Sequence, residues 1–530
     1  MKAPSLAAAA AGLLVLVILL IYPKNVSRGA APKVRPPAVA GSFYPADPKE
    51  LGDMLDGFLA HADPAPVQDL VAVVAPHAGY VYSGPVAAYS YALLKGRKVD
   101  RVVIVAPSHY EAFDFSSVYD GEAYSTPLGT LTVDREFAAK LAGMDPSIKL
   151  SGVGHTPTAD RPEHALEVQL PFLQRTLGDV RIVPIVMGDQ SYENCRALGV
   201  ALAKLIPGTN TLIVASSDLS HYHPYGQAVE TDHKTLTAIG EWDYLSMSRN
   251  FDPHLLVWEA CGGGPIIATM MAAERLGATE ARVLHYANSG DATGDKSRVV
   301  GYGAVALLKG APGAATREKA FTLSQSEKDE LMGIARKSVE TAVRDRKVYD
   351  APEPKSEALA HERGAFVTLH LNGDLRGCIG YVAPIKPLYL TVRDVAREAA
   401  LHDSRFRPVT TGELAGLQYE ISVLSPMRRV LDLKEIKIGV HGLLIRKNGI
   451  EGLFLPQVPV EEHWDLDTYL QQVCYKARLP KNTWKDPGAD LFRFTALVFE
   501  ERKTAAALPG TKAWPSDPRP GTPEPSTARF

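Results

Sequence analysis

The chain has 530 residues, 46% hydrophobic and 22% charged, a globular balance in a length that calls for two or three domains. A net charge of −3 argues against nucleic acid as a partner of the whole chain. The four cysteines, Cys195, Cys261, Cys378 and Cys474, form no CxxC pair, which excludes an iron–sulfur or cysteine-rich zinc site built within this chain alone.

Leu6 to Tyr22 are almost wholly apolar, just long enough to span a bilayer. The run exceeds the usual signal-peptide core of about 7–15 residues. It therefore predicts an uncleaved N-terminal anchor, and a membrane-anchored protein, in preference to a cleaved signal segment within residues 1–34. Lys2 and the amino terminus stand against Lys24, Arg28 and Lys33, so the flanking charge selects neither side of the membrane.

From residue 35 to 309 strand-like and helical patterns alternate, which predicts an α/β domain with a mainly parallel sheet flanked by helices. Strands are expected at 71–75, 101–106, 181–187, 211–215 and 299–308. Helices are expected near 48–61, 85–95, 162–178, 194–205, 224–240 and 265–277. Three strands end in a polar turn carrying histidine: VAVVAPH places His77, RVVIVAPSH places His109, and TLIVASSDLSH places Asp218 and His221. A proline cannot donate to the ladder, so it ends the strand and projects the next side chain from the carboxyl edge of the sheet, where open α/β sheets bind ligands. His77 and His109 lie one βαβ length apart, about 30 residues.

Residues 310–320 read as a small-residue linker. A separate α+β domain is expected over 321–502, with a hairpin at Asn448-Gly449. From 503 the Pro-rich tail has no periodicity and reads as disordered.

Cys261 precedes the Gly-Gly-Gly-Pro start of a helix, where the helix dipole would lower its pKa towards thiolate. Two neutral imidazoles and a thiolate make a three-ligand set with open positions, suited to Fe(II), Zn(II) or copper. His221, with Asp218 three residues before it, is then the candidate acid/base. His164, between Glu163 and Glu167, reads as a polar helix face and a supporting residue. His155, His223, His233 and His285 read as structural.

At these residues the chain resembles a known family. VRPPAVAGSFYP, APHAGYVYSGPVAA, APSHY, YSTPLGTLTVD, EHALEVQLPFLQ, ASSDLSHYH, CGGGPI and YANSGDATGDKSRVVGYGAVAL resemble the Memo family in order across residues 35–309. LRGCIGY, HDSRFRPV and EISVLSP resemble the AMMECR-type domain. Together they are similar to components B and A of the AmmeMemoRadiSam system. The resemblance implies a separate radical S-adenosylmethionine protein as partner, and a fold similar to class III extradiol dioxygenases, which use non-haem Fe(II). It also implies that His77, His109 and Cys261 match metal ligands, and that His221 matches the dioxygenase acid/base. Those enzymes place a carboxylate where this chain has Cys261. Within the AMMECR-type stretch, Arg376 and Cys378 read better as a tight strand pair than as an anion site.

The leading expectation is a membrane-tethered, metal-binding oxidoreductase acting on a small organic or aromatic molecule. Its cofactor is Fe2+ in the first place, with copper or zinc as the other metals. The alternatives are a metal-free cysteine hydrolase using Cys261, His221 and Asp218, and a non-catalytic adaptor that uses the same cleft.

Overall fold

Val71–Ala75 and Arg101–Pro107 are buried along their whole length. The runs Val71–Ala75 and Val102–Ala106 are Val, Ile and Ala only and leave no polar face to turn outward, so such strands are stable only inside a sheet covered on both sides. The computed structural model describes residues 34–157, 160, 162–249, 259–310 and 321–501. At its centre Leu70–Ala75, Thr211–Ser216, Arg101–Pro107 and Arg181–Met187 lie side by side, all parallel. Ala75 pairs with Ser216 and Val105 with Ala215. That register aligns the carboxyl ends, so His77, His109 and Asp218 emerge at one edge.

The flanks correct the expectation of a mainly parallel sheet. Val299–Leu308 runs antiparallel to Leu70–Ala75 and to Glu280–Asn288, and Ser116–Val118 runs antiparallel to Arg181–Met187. The nine-stranded sheet is therefore mixed around a parallel core. The added strands Ser116–Val118 and His221–His223 are three residues long, too short for a periodic signal. Glu280–Asn288 is mostly half-exposed and mixes Arg, His and Tyr with its apolar residues.

Alternation across the pleat sorts the core into two layers. Val73, Ala75, Val102, Ile104 and Val214 pack in one cluster with Leu51, Leu55 and Leu59 of the helix Pro48–His61. Those leucines repeat every four residues, and Asp47 caps the helix by accepting the amides of Lys49 and Glu50 at 2.9 Å. On the other face the helix Gly263–Arg275, buried along nearly its whole length, packs on the strands and on the helix Tyr192–Leu205. Gly199 permits that approach, since a Cβ there would stand 2.8 Å from Met271 Cβ.

Behind the sheet edge lies a buried ion pair. Arg35, 2% exposed, donates Nε to the His155 carbonyl (2.6 Å), Nη2 to the Glu163 carbonyl (2.6 Å) and Nη1 to Glu167 (2.5 Å). Glu167 also accepts the amides of Ala38 (2.7 Å) and Val39 (3.1 Å) and the hydroxyl of Tyr44 (2.5 Å).

The described chain divides into two compact units. One comprises residues up to Thr322 with Ala383–Lys386 and Leu424–Ala496; the other comprises Leu323–Val382, Pro387–Val423 and residues from Leu497. Within the first, Leu424–Ala496 supplies a four-stranded sheet in the order Arg428–Arg429, Asp490–Phe494, Gly442–Lys447, Ile450–Phe454. Asp490 fixes it in place. Its carboxylate accepts from Tyr192 Oη (2.7 Å), Arg196 Nε (2.7 Å), Arg429 Nε (3.0 Å) and Arg275 Nη2 (3.3 Å). The second unit is built on a four-stranded sheet in the order Asp374–Tyr381, Ala365–Leu371, Leu417–Leu424, Ala496–Glu500, with the helices Gln325–Asp345 and Leu388–Leu401.

The expected membrane anchor is corrected: among the described residues no helix is long and apolar enough to cross a membrane. Residues 6–22, which prompted that expectation and with it the membrane-anchored location, lie outside the described residues, as do 311–320 of the linker and the tail from 503.

Replacing Arg35 by Met should cost about 3–5 kcal/mol of stability, because Glu167 would keep a buried charge without its cation. Denaturant unfolding of the full chain measures this, and a loss under about 1 kcal/mol would contradict the structural role assigned to the pair.

Candidate metal centre

His77 leaves the strand Leu70–Ala75 two residues after its end and is 1% exposed. Its backbone N–H donates to Asp218 Oδ1 (2.7 Å), and its Nδ1 lies 2.9 Å from Ser216 Oγ. The Ser216 hydroxyl gives its one proton to the Ala165 carbonyl (2.5 Å) and accepts from Gln169 Nε2 (2.8 Å). It has no second proton for the ring, so His77 Nδ1 must be the donor. That fixes the tautomer and leaves the Nε2 lone pair free. Cys261 Sγ sits 3.1 Å from that Nε2.

His109 is set by the same logic. Its backbone N–H donates to Glu163 Oε2 (2.6 Å) and its Nδ1 lies 3.1 Å from Glu163 Oε1. A carboxylate only accepts, so Nδ1 carries the proton and Nε2 is available. His164 stacks on His109, ring centroids 4.9 Å apart and planes 6° apart, and meets His77 edge-on at 5.7 Å. One ligand nitrogen from each of His77, His109 and His164 lies within 4.8 Å of the others. His164 Nδ1 is buried with no hydrogen-bond partner.

His164 and Glu163 are where sequence reasoning fell short. The i, i+4 acidic spacing suggested a helix, but these residues precede the short 3-10 turn Glu167–Gln169 and lie in irregular chain. There Glu163 turns inward, also accepting the amides of His164 (2.9 Å) and Ala165 (3.0 Å). The sequence signals were the adjacency of Glu163 and His164 and their place in the motif EHALEVQLPFLQ.

Cys261 ends outside the turn that starts the helix Gly263–Arg275. Gln190 grips both sides of this turn, donating Nε2 to the Cys261 carbonyl (3.0 Å) and accepting the Gly264 amide (2.7 Å). Gly262 has no room for a side chain, since a Cβ would stand 2.2 Å from the Ser216 carbonyl oxygen. The expected lowering of the thiol pKa is corrected. Burial pushes the Cys261 thiol well above its ordinary value, with the charge of Asp218 adding to the shift, and the helix end does not offset them.

Asp218 spends Oδ1 on the amides of His77 (2.7 Å) and Ala78 (3.3 Å), and burial raises its pKa despite them. Among the described residues it makes no hydrogen bond to His221. His221 instead starts the short strand His221–His223 and lines the same cavity as Asp218 and the three histidines. The imidazole within reach of Cys261 is His77, not His221 as a Cys261–His221–Asp218 hydrolase would need. His155 and His223 are occupied elsewhere, by Tyr124 and the Ser117 carbonyl and by Glu259.

The electrostatics prepare ligands. Burial, reinforced by the charge of His109, holds His77 well below the ordinary histidine value. Burial and the neighbouring imidazoles bring His164 down to about 4. Burial also opposes charge on His109 and Glu163, but their mutual hydrogen bond and attraction outweigh it. His109 is raised, and Glu163 is held down to about 2. Two neutral imidazoles, a third with a carboxylate behind it, a nearby thiol and an orphaned buried nitrogen fit a first-row transition metal ion, and disfavour Mg or Ca.

Comparison with known proteins agrees with the motifs. Residues 35–306 match the family described as Memo-like protein. The chain belongs to the Memo family. The Memo region is followed by an AMMECR1 domain, matched over residues 332–499. A MEMO1 family protein of Methanosarcina barkeri is 41% identical over 280 residues, covering 51% of this chain and 99% of its own. One from Methanopyrus kandleri is 38% identical over 288 residues, covering 52% and 99%. A solved structure of an uncharacterized protein from Pyrococcus horikoshii is 36% identical, covering 34% of this chain and 94% of its own, with a TM-score of 0.33.

Substituting Glu163 by Gln should lower the pKa of His109 in metal-free protein, read by NMR titration of its ring. The effect on stability has a definite sign. The raised His109 contributes fully below its unfolded value of about 6.5 and loses that contribution as pH rises through its folded pKa. The depressed Glu163 contributes above its unfolded value of about 4.3 and loses it as pH falls towards about 2. The Gln variant should therefore be least stable relative to wild type between about pH 4.3 and 6.5, with the gap narrowing on the alkaline side.

Proposed function

We propose that the Memo region is a non-haem iron oxidoreductase, similar to class III extradiol dioxygenases, that acts on a small organic or aromatic molecule within the AmmeMemoRadiSam system. The observation that carries this reading is the convergence of His77, His109 and His164 on a cavity of about 710 Å³; Cys261 lies outside that group of three, its Sγ 3.1 Å from His77 Nε2. His77, His109 and Cys261 would hold Fe2+, with zinc or copper as competing ions, and His164 stands as a further donor. Bound iron would supply one-electron and O2 chemistry.

The chain's own groups do the rest. Ser216 and Glu163 hold the proton on the Nδ1 atoms of His77 and His109, so both Nε2 atoms keep a lone pair for a cation. His221 takes or gives a proton at its imidazole, and Asp218 anchors the turn that presents His77. A partner of the radical S-adenosylmethionine class belongs to the same proposal. The cysteine-hydrolase alternative is disfavoured by the raised thiol and by the pairing of Cys261 with His77.

Anaerobic Fe(II) or Zn(II) titration tests the reading. Wild type should bind one ion, Glu163→Gln should bind about 10–100-fold more weakly, and His77→Ala should lose more than that. Affinity should fall as pH drops below the raised pKa of His109, because metal and proton compete for its ring. Wild type without stoichiometric metal, or His77→Ala with unchanged affinity, would falsify the assignment.

A further inference from the structure

One charged group of the cavity has no part in the metal centre. Arg298 lines the cavity, is exposed, and places its guanidinium over the Tyr222 ring, 5.1 Å from the centroid. Among the described residues no carboxylate lies within ion-pair distance of it. The two carboxylates that share the lining each hold neighbouring chain through Oδ1, and neither pairs with Arg298. Asp295 accepts the N–H (2.9 Å) and O–H (2.7 Å) of Ser297, and Asp218 accepts the amides of His77 and Ala78. Apart from His109, which Glu163 holds, the cavity thus offers one cation, its hydrogen-bond donors free.

The surroundings of Arg298 are aromatic. Tyr82, Tyr110 and Tyr222 all line this cavity and are 43%, 44% and 61% exposed. Three exposed rings around one opening are not there to fill a core; such rings offer flat, apolar contact area with a polar tip. Tyr222 is also held at φ +64, in the left-handed region that a bulky side chain rarely adopts. The strained backbone displays the ring, and the ring in turn supports the Arg298 guanidinium by a cation–π contact that consumes none of its N–H donors.

We propose that the cavity takes a small aromatic carboxylate, its ring among Tyr82, Tyr110 and Tyr222 and its carboxylate paired with Arg298. The planar guanidinium fork matches a carboxylate through two parallel hydrogen bonds, which an ammonium cannot reproduce. The volume, about 710 Å³, is within the range of small-molecule sites. That the rest of the substrate turns towards the histidines rests on the reading of that cluster as the reacting centre; the role of Arg298 does not.

The test compares benzoate, benzyl alcohol and phenyl phosphate as probes on the full chain, with and without Zn(II), by ligand-observed NMR titration. Benzoate should bind about 10–100-fold more tightly than benzyl alcohol. Arg298→Ala should abolish that preference, and Arg298→Lys should keep part of it. Phenyl phosphate preferred over benzoate, or benzoate binding unchanged in Arg298→Ala, overturns the proposal. Zn(II) affinity measured in parallel should be the same in wild type and Arg298→Ala. A chain that discriminates the probes but binds no metal sinks the metal reading alone, and one that binds metal without discriminating sinks the carboxylate site alone.

Discussion

The candidate centre depends on an ion pair that touches none of its ligands. Arg35 and Glu167 lie behind the sheet edge, and both side chains are almost wholly out of water. Burying two charges is unfavourable unless their remaining donors and acceptors are satisfied. Here they are, by the carbonyls of His155 and Glu163 and by the amides of Ala38 and Val39. The same bonds that satisfy the pair therefore fix the irregular segment around Glu163. With that segment fixed, Glu163 can hold His109, and His164 can stack on it. An irregular loop acquires the precision that strands give to His77.

This division explains what the sequence could disclose. His77, His109 and Asp218 sit just past the ends of buried strands, and apolar runs closed by polar turns are visible as composition. Their arrival at one edge follows from parallel register. Glu163 and His164 had no such frame. Their placement comes from long-range bonds to Arg35, more than a hundred residues away, and local spacing wrongly suggested a helix. The thiol of Cys261 failed differently. Its position before a helix was legible, but its pKa is set by burial and Asp218, which only the folded chain brings together. The antiparallel flanks of the sheet were lost because two strands are only three residues long, Glu280–Asn288 mixes polar with apolar residues, and the expected strand at 299–308 carries no mark of its direction.

A second buried carboxylate plays the same part for the AMMECR1 domain. That domain spans residues 332–499, yet Leu424–Ala496 packs into the same compact unit as the Memo region. Asp490 accounts for this. It draws Tyr192 and Arg196 from one helix and Arg275 from another, and its pKa stays low because three arginines outweigh its burial. Tyr192 is two residues from Gln190, which clamps the turn carrying Cys261. The lobe is thus tied to the helix pair that positions the sulfur. The residues matched to AMMECR1 are thus shared between the two compact units.

The protonation pattern gives the centre its character. His77 and His164 are neutral by burial, so neither has a charge-balancing proton to lose. His109 and Cys261 are pushed the other way, the first by Glu163 and the second by burial and Asp218. In the metal-free protein the Cys261 thiol can donate to His77 Nε2, and His109 can carry an extra proton against Glu163. Both protons occupy lone pairs that a cation would need. The fold therefore occupies these candidate ligand atoms with replaceable protons, and leaves His164 Nδ1 buried without a partner. A purely structural cluster would instead have its lone pairs closed by permanent partners, as His155 has with Tyr124 and Ser117. That contrast sets His155, closed on both nitrogens by backbone and phenol, against His109, closed on one, and His77, whose second nitrogen meets only the Cys261 thiol.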